Sequence, residues 1–421
     1  MKKLKLLAAA GGAVALVAIW PLAVGQIGQT IVTDGVKNIH NQDVTVSLEE
    51  YHRGYLTSEA KTLVTVTDPQ ALAQLNTLGL PTEYEFVHVI HHGIVSLNSD
   101  SYYAQNPELK LNTKTQLNGN TEFSTDIAKQ QFKFEGSEPF TAVLNSLSIS
   151  GSITVLGQLD YTMNMPSLEI DYQNGAVVHF DGLSSNGNGK FEQDFWMGQQ
   201  KLALDGFVVN DHDGNNVFEL SGLTYQFETT QDEAAQTLQA DYALALKEFK
   251  NHDGEAANLD LKFTAGGLDK TAFLALTQMY QNSPVWTEQD TAKAIPNINA
   301  LLEKGFSVSL NHFSVDVDEG HFKSDWHMSL PSAKDNAIDN PMHLVDVMQG
   351  DMNAFVSSDL VMAYPFIQQN LDELLIMEVA KQTDDGYSMS LQMQDGKIKF
   401  ANGKEMPLIS LLMPMMMPKA H

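Results

Sequence analysis

The sequence predicts a β-dominated α+β protein, in which an N-terminal transmembrane helix precedes a long curled antiparallel sheet with a few packing helices in the C-terminal half. Three observations predict this fold class. An uncharged apolar run follows three lysines at the N-terminus, apolar and polar residues alternate in many segments between residues 109 and 268, and helix patterns cluster between residues 269 and 381. Alternation with a period of two is typical of strands that have one covered face.

The N-terminal segment, residues 1–28, has the features of a membrane anchor. Lys2, Lys3 and Lys5 precede an uncharged run that begins at Leu6, and this run is about long enough to cross a bilayer as one helix. Positive charge before the span places the N-terminus inside and the bulk of the chain outside. The alternative is a cleaved signal peptide with Ala23-Val24-Gly25 as its cleavage site. Under either interpretation, the rest of the chain is expected to be extracytoplasmic.

The composition excludes several functional classes. The chain of 421 residues has a formal net charge of −27, and such a surface repels the phosphates of nucleic acid. There is no cysteine, which excludes disulfides, thiolate metal sites and thiol nucleophiles. We therefore expect no nucleic-acid partner.

Residues 29–268 are predicted to form a β-rich region that contains one short helix, from Pro69 to Leu80. Turn dipeptides separate the alternating segments and predict hairpins. These dipeptides are Asn174-Gly175, Asp181-Gly182, Asp213-Gly214 and Asp253-Gly254. A Gly-Leu pair also recurs at residues 182–183, 222–223 and 267–268. Chance explains these three matches about as well as a true repeat does.

Residues 269–421 are predicted to form a helix-containing region, continuous with the preceding sheet, that ends in a β-hairpin. Asp269 is expected to cap a helix that runs to Asn282. Because Pro296 interrupts the next helical pattern, two short helices are predicted between Thr287 and Lys304. The remaining predictions are a loop over residues 335–350, a helix over residues 352–380 with a break near Pro365, and a hairpin with Asp395-Gly396 at its turn.

One candidate contact site surrounds Arg53, which is the only arginine in the chain. Tyr51 and Tyr55 flank it, and Gly54 permits a sharp bend before the next strand. A single guanidinium among lysines indicates a bidentate or stacked contact at this position. The contact is either structural, with a carboxylate that pins the first strand, or it is made to a ligand or partner.

A second candidate is the polar cluster of His88 and His92, which share one face of a predicted strand while His91 points away. Two histidines on one strand would need a third ligand from a neighbouring strand to hold a metal ion. Neutral histidines are common at half-exposed strand positions, so the sequence favours no metal site. Catalytic and cofactor motifs are also absent from the sequence. We therefore expect no catalytic residues, no cofactor and no enzyme activity.

Several segments together resemble the YdgA-like proteins of Gram-negative bacteria. They are the N-terminal anchor, Tyr51-His52-Arg53-Gly54 with Ser58, His92-Gly93, the helix opened by Leu268-Asp269 and closed by Tyr280-Gln281-Asn282, and the final Asp395-Gly396-Lys397-Ile398 with Asn402-Gly403-Lys404. The chain departs from that family at His91-His92-Gly93-Ile94, where the family tends to have Asp-His-Gly-Pro. The resemblance implies a single-pass inner-membrane protein with most of its chain in the periplasm. It implies no biochemical activity.

The predicted helices are too few to cover one face of so long a sheet. The sheet must therefore curl on itself, pair with another chain, or cover its apolar face with a ligand. The leading hypothesis is a non-enzymatic envelope protein whose curled sheet binds or screens a lipid-like hydrophobic ligand. The alternative is a structural or interaction protein with a dry core, which forms a homodimer or serves as a scaffold in the periplasm.

Overall fold

The computed structural model describes residues 44–93, 96–193, 195–282, 286–332 and 341–410. The chain divides into two compact units. Unit 1 comprises Met1–Lys190 and Leu202–Phe218, and unit 2 comprises Phe191–Lys201 and Glu219–His421. The β-dominated class with few helices is confirmed, because the described residues form 22 strands and six helices.

Ten strands and one helix belong to unit 1 alone. They are β1 (Val44–Arg53), β2 (Thr57–Val66), α1 (Pro69–Leu78), β3 (Glu83–His92), β4 (Ser96–Tyr103), β5 (Asn106–Gln116), β6 (Thr121–Ile127), β7 (Gln130–Phe134), β8 (Phe140–Leu144), β9 (Leu147–Ile153) and β10 (Leu159–Tyr172). Three long strands contribute residues to both units: β11 (Val177–Glu192), β12 (Phe195–Asn210) and β13 (Asn216–Asp232).

The unit 1 strands pair antiparallel in the order β1–β2–β3–β4–β5–β6–β9–β10–β11, while β8 pairs with the far end of β10 and β7 pairs with β8. Strand β2 alternates strictly, with Ala60 and Val64 buried on one face. The helix α1 covers this face through Ala71 and Leu75. It begins where the Asp68 carboxylate accepts a hydrogen bond from the Ala71 amide at 2.7 Å, as an N-cap does.

Unit 2 contains the remaining elements. They are β14 (Thr237–Asn251), β15 (Gly254–Asp269), α2 (Lys270–Asn282), α3 (Glu288–Lys304), β16 (Phe306–Val317), β17 (Gly320–Leu330), α4 (Pro341–Val347), β18 (Gln349–Ser357), α5 (Ser358–Ala363), α6 (Pro365–Ile376), β19 (Ala380–Gln382), β20 (Gly386–Gln394), β21 (Lys397–Phe400) and β22 (Glu405–Pro407).

The unit 2 sheet is an antiparallel meander from β14 through β15, β16, β17, β18, β20 and β21 to β22, with β19 paired to β20. The register places Tyr242, Phe263, Leu310, Trp326 and Met352 in one row across its apolar face. All five side chains are only half-buried. Apolar helical residues cover the two ends of this face more fully, at Leu274 of α2 and Leu371 of α6.

The recurrent Gly-Leu pairs mark a repeated backbone conformation. Gly182, Gly222 and Gly267 lie inside β11, β13 and β15 and have φ angles of 60°, 63° and 72°, in the left-handed region that glycine adopts without strain. The prediction of a hairpin turn at Asp181-Gly182 is therefore wrong. In β11 the positive φ permits the chain to pass close to β12, where a Cβ at residue 182 would lie 2.0 Å from Asp205 Oδ2.

Three helical predictions need correction. Residues 288–304 form one helix, because a capping box between Thr287 and Asp290 starts it and Pro296 is accommodated inside it. Part of the predicted loop over residues 335–350 is the helix α4, and residues 333–340 lie outside the described residues. Residues 352–357, predicted to be helical, belong to β18. There the alternation of Met352, Ala354 and Val356 with polar residues is a strand pattern.

Several predicted elements are confirmed. Asp269 Oδ1 accepts the Ala272 amide at 2.9 Å at the start of α2, and Asp395-Gly396 turns the β20–β21 hairpin. No helix in the described part of the chain is long and apolar enough to cross a membrane. The predicted anchor, residues 1–28, lies outside that part.

Candidate functional site

The strongest candidate site is an apolar groove of about 380 Å³ in unit 2, a volume typical of small-molecule pockets. One wall is the apolar face of β17, β18 and β20, where Met352, Ala354 and Met389 are neighbours in the register. Cross-strand pairing places Ala354 beside Met389. Methionine side chains are flexible and adapt to ligands of different shape.

The opposite wall is a pair of helices, α5 and α6, which we call the arm. Ile367, Leu371 and Leu374 of α6 face the groove, and Leu371 is buried beneath it. Phe366 also lines the groove but is 65% exposed, so it lies at the mouth. All lining side chains are apolar except those of Asn370, Tyr387 and Ser388. The groove therefore offers shape and apolar contact with few directional groups.

The first helix of the arm is fixed firmly to the sheet. Ser357 caps α5, because its Oγ accepts the Leu360 amide at 3.3 Å and also the His321 amide of β17 at 2.8 Å. Gly320 lies against Leu360 so closely that a Cβ at residue 320 would be 2.5 Å from the Leu360 Cβ. The start of α5 therefore holds a defined position over β17.

The bend between α5 and α6 is held by one side-chain hydrogen bond. The Tyr364 hydroxyl donates to Asp318 Oδ2 at 2.7 Å, and this hydrogen bond raises the pKa of Tyr364. Pro365 begins α6 immediately afterwards, and proline suits the first helical position because its missing N–H has no helical partner there. The far end of α6 is held by Lys404, which donates to the Met377 carbonyl at 3.0 Å.

The residues around Arg53 lie at a hairpin tip of unit 1. Tyr51 is half-buried against the core below α1, while Arg53, Gly54 and Tyr55 are exposed. Within the described residues, the Arg53 side chain makes no ion pair or hydrogen bond. Gly54 closes the turn by donating its amide to the Thr57 carbonyl at 2.8 Å. These four residues are therefore neighbours along the β1–β2 hairpin, but they do not line a common cavity.

His88 and His92 share one face of β3, as predicted, but they serve different neighbours. His88 is fully buried, with Nε2 2.8 Å from Thr62 Oγ1 and Nδ1 2.8 Å from Ser101 Oγ. Burial lowers the pKa of His88 to about 4, so the ring is neutral at pH 7. His92 Nε2 lies 2.9 Å from Ser58 Oγ. Both histidines therefore link strands through hydroxyl groups.

A cluster of residue types that can bind a metal ion lies at the turn between β12 and β13. In the part of the chain that the structure describes, Asp211, His212 and Asp213 are the group whose ligand atoms lie close together. They form the β12–β13 turn, where Asp211 Oδ1 accepts the backbone amides of Asp213 and Asn215 at 2.9 Å each. A carboxylate that accepts amides in this way is a common turn device. The cluster is therefore explained by the turn itself.

A polar depression of about 250 Å³ in unit 2 is lined by residues of β12, β13, β14, β15 and β16. Its polar side chains bond to one another: Gln199 donates to Glu228 at 2.8 Å, Thr264 donates to Asp241 at 2.6 Å, and Asn311 donates to Thr264 at 2.7 Å. Such cross-strand pairs stabilise a sheet. Because these groups are already paired, the apolar groove is the better candidate for a ligand.

The sequence did not reveal the groove residues. The available signal was the alternation of Met352, Ala354 and Val356 with Asp351 and Asn353, which indicates a strand with one apolar face. Because residues 352–380 were predicted to form a helix, the sequence did not indicate that these residues line a groove.

The fold and the groove define a β-rich protein of two units, the second of which has an apolar cavity of ligand size beneath a helical arm. A family model described as "Bacterial protein of unknown function (DUF945)" matches residues 1–409, and the chain belongs to this family. No curated protein and no solved structure matches the chain significantly.

Proposed function

We propose that the protein is a non-enzymatic envelope protein that binds one acyl chain of a lipid-like molecule in the apolar groove of unit 2. The observation that carries the proposal is the lining of that groove, which is apolar apart from Asn370, Tyr387 and Ser388. An apolar chain gains about 0.8 kcal/mol for each methylene group it buries. None of the described residues that line the groove is charged, so the lining does not select a charged substrate.

The apolar row from Tyr242 to Met352 supports the proposal further. Its side chains are half-buried, so the unit 2 sheet keeps apolar surface that its helices do not fully cover. Apolar surface that is incompletely covered is available for contact with a hydrophobic ligand. The groove lies at one end of this row, since Met352 belongs to both.

The proposed location is the periplasmic side of the inner membrane, to which residues 1–28 would anchor the chain. The lysines before the apolar run carry this part of the proposal. An anchored protein with an acyl-chain groove would act on lipids close to their source, by holding or shielding them.

The test is the amount of lipid that co-purifies with the 421-residue chain, measured by mass spectrometry. Ala354→Phe places a ring inside the groove, where residue 354 is half-buried and lines the cavity. Gln392→Phe is the matched control, because residue 392 is exposed on the other face of β20. We expect Ala354→Phe to lose most of the bound lipid while Gln392→Phe retains it. Equal lipid content in both folded variants would contradict the proposal.

The second candidate function is a dimer or scaffold. It is favoured by apolar side chains of the arm that point away from the groove, namely Met362 and Ile376, which are 71% and 82% exposed. These side chains could contact a second copy or another protein. Replacing both by serine separates the two functions, because dimer formation would be lost while groove-bound lipid would remain.

A further inference from the structure

Large apolar side chains project into solvent from three hairpin tips of unit 1. Tyr55 and Leu56 are at the β1–β2 tip, Leu117 is at the β5–β6 tip, and Val155 and Leu156 are at the β9–β10 tip. Tyr55 is 94% exposed and Leu156 is 86% exposed. Single exposed apolar side chains are common, but several of them gathered at one end of a sheet indicate an interaction surface. We call these five residues the tip cluster.

The strand register places all three tips at the same end of the sheet. Thr57 at the start of β2 pairs with His91 near the end of β3. Gln116 at the end of β5 pairs with Ser96 at the start of β4, and Thr121 at the start of β6 pairs with Ile153 at the end of β9. Strands β2 and β5, which border the first and second tips, are three strand spacings apart, or roughly 14 Å.

The tips are held in place by hydrogen bonds. The His92 amide donates to the Leu56 carbonyl at 2.7 Å. The Nδ1 atom of the His92 ring lies 3.3 Å from the Tyr55 carbonyl oxygen. A carbonyl oxygen can only accept a hydrogen bond, so Nδ1 carries the proton. The Val155 amide donates to Asn120 Oδ1 at 3.3 Å and connects the other two tips. The apolar side chains are therefore presented by ordered turns.

We propose that the tip cluster docks into the interfacial region of a zwitterionic phospholipid bilayer. The five side chains stand on separate projections, whereas the core of a protein–protein interface is a fully buried patch that packs as densely as a protein interior. Arg53 and Tyr55 adjoin at the first tip, and both suit the level of lipid headgroups: tyrosine has an apolar body with a polar end, and arginine binds phosphate. The tip cluster lies in unit 1 and shares no residue with the groove of unit 2, so this proposal does not depend on lipid binding in the groove.

The charge of the chain selects the type of bilayer. A formal net charge of −27 is repelled by anionic lipid, so apolar contact must supply the attraction. Raising the salt concentration screens the repulsion without weakening apolar contact. Docking is therefore expected to persist or strengthen at high salt and to weaken when anionic lipid replaces zwitterionic lipid.

The absence of cysteine permits a direct test with single labelled positions. Leu156→Cys places an environment-sensitive nitrobenzoxadiazole label in the tip cluster. Gln173→Cys places the same label at the exposed β10–β11 turn, which lies at the opposite end of β10. Both variants of the 421-residue chain are incorporated into phosphatidylcholine vesicles, and quenching by aqueous iodide is measured. Insertion of about 5–10 Å should make quenching at residue 156 several-fold weaker than at residue 173 and shift its emission to the blue.

Changes at the first tip complete the test. Tyr55→Ser with Leu56→Ser should restore quenching at residue 156 without unfolding the protein, because both side chains are exposed. Arg53→Gln should have the same effect to a smaller degree. Equal quenching at residues 156 and 173 would overturn the proposal. Shielding of residue 156 that needs no vesicles and rises with protein concentration would overturn it in favour of a second copy.

Discussion

The Tyr364 hydroxyl donates a hydrogen bond of 2.7 Å to the Asp318 carboxylate, and this bond holds the bend of the arm to the β16–β17 turn. Tyr364 is also in edge-to-face contact with Phe366 at a ring distance of 6.0 Å. The same residue therefore connects the fixed part of the arm to the side chain at the groove mouth.

Tyr364→Phe removes this hydrogen bond and keeps the ring. We expect faster amide hydrogen exchange over residues 365–376, because α6 loses its attachment at the bend, while exchange in β17 and β18 is unchanged. Tyr280→Phe is the matched control, since Tyr280 is an exposed residue of another helix. Unchanged exchange in α6 would show that the bond does not restrain the arm.

The stability of unit 1 should depend on pH through His88. Its pKa falls from 6.5 to about 4 in the folded state, so the unfolded chain binds a proton more readily between these values. The contribution of neutral His88 to the free energy of unfolding is therefore complete above pH 6.5. About 3 kcal/mol of this contribution is lost as the pH falls toward 4. His88→Gln should flatten this part of the curve, because glutamine stays neutral and still offers a donor and an acceptor to Ser101 and Thr62.

Denaturant unfolding at several pH values measures this difference. If His88→Gln and the unmodified chain lose the same stability between pH 6.5 and 4, His88 does not make the predicted contribution.

The positive φ of Gly182 predicts a large cost for any side chain. Gly182→Ala should destabilise the protein by about 1–2 kcal/mol through the backbone and by roughly 1–3 kcal/mol more through overpacking against Asp205. Gly214→Ala is the control, because Gly214 has a φ of 79° with open space around its Cβ position. It should show the backbone cost alone. Equal midpoints of thermal unfolding for the two variants would contradict the close approach of β11 and β12.

Local signals in the sequence predicted local structure well. Asp395-Gly396 between two alternating segments predicted the β20–β21 hairpin, and the capping carboxylate of Asp269 predicted the start of α2. The same kind of signal failed at Asp181-Gly182, because a dipeptide that favours a hairpin turn also suits a left-handed residue inside a long strand. Only the register against β10 and the proximity of Asp205 distinguish the two cases.

Long-range relationships could not be predicted. The face of β3 that carries His88 follows from strand alternation, but its partners Thr62 and Ser101 come from two other strands. The groove similarly requires β18 to lie beside β20 and α6 to lie over both. Arg53 is a candidate in the sequence because it is the only arginine of the chain. Its position at a hairpin tip depends on the register of the sheet.

The most direct measurement of the proposed ligand is photo-crosslinking in intact cells. Benzoylphenylalanine at Met389 places the reactive group inside the groove, and the same residue at Phe366 tests the mouth in case the inner position is too crowded. Gln392, on the outer face of the same strand as Met389, is the control position. We predict adducts of lipid mass at residue 389 or 366 and none at residue 392. Absence of such adducts at both groove positions, or equal adducts at residue 392, would contradict lipid binding in the groove.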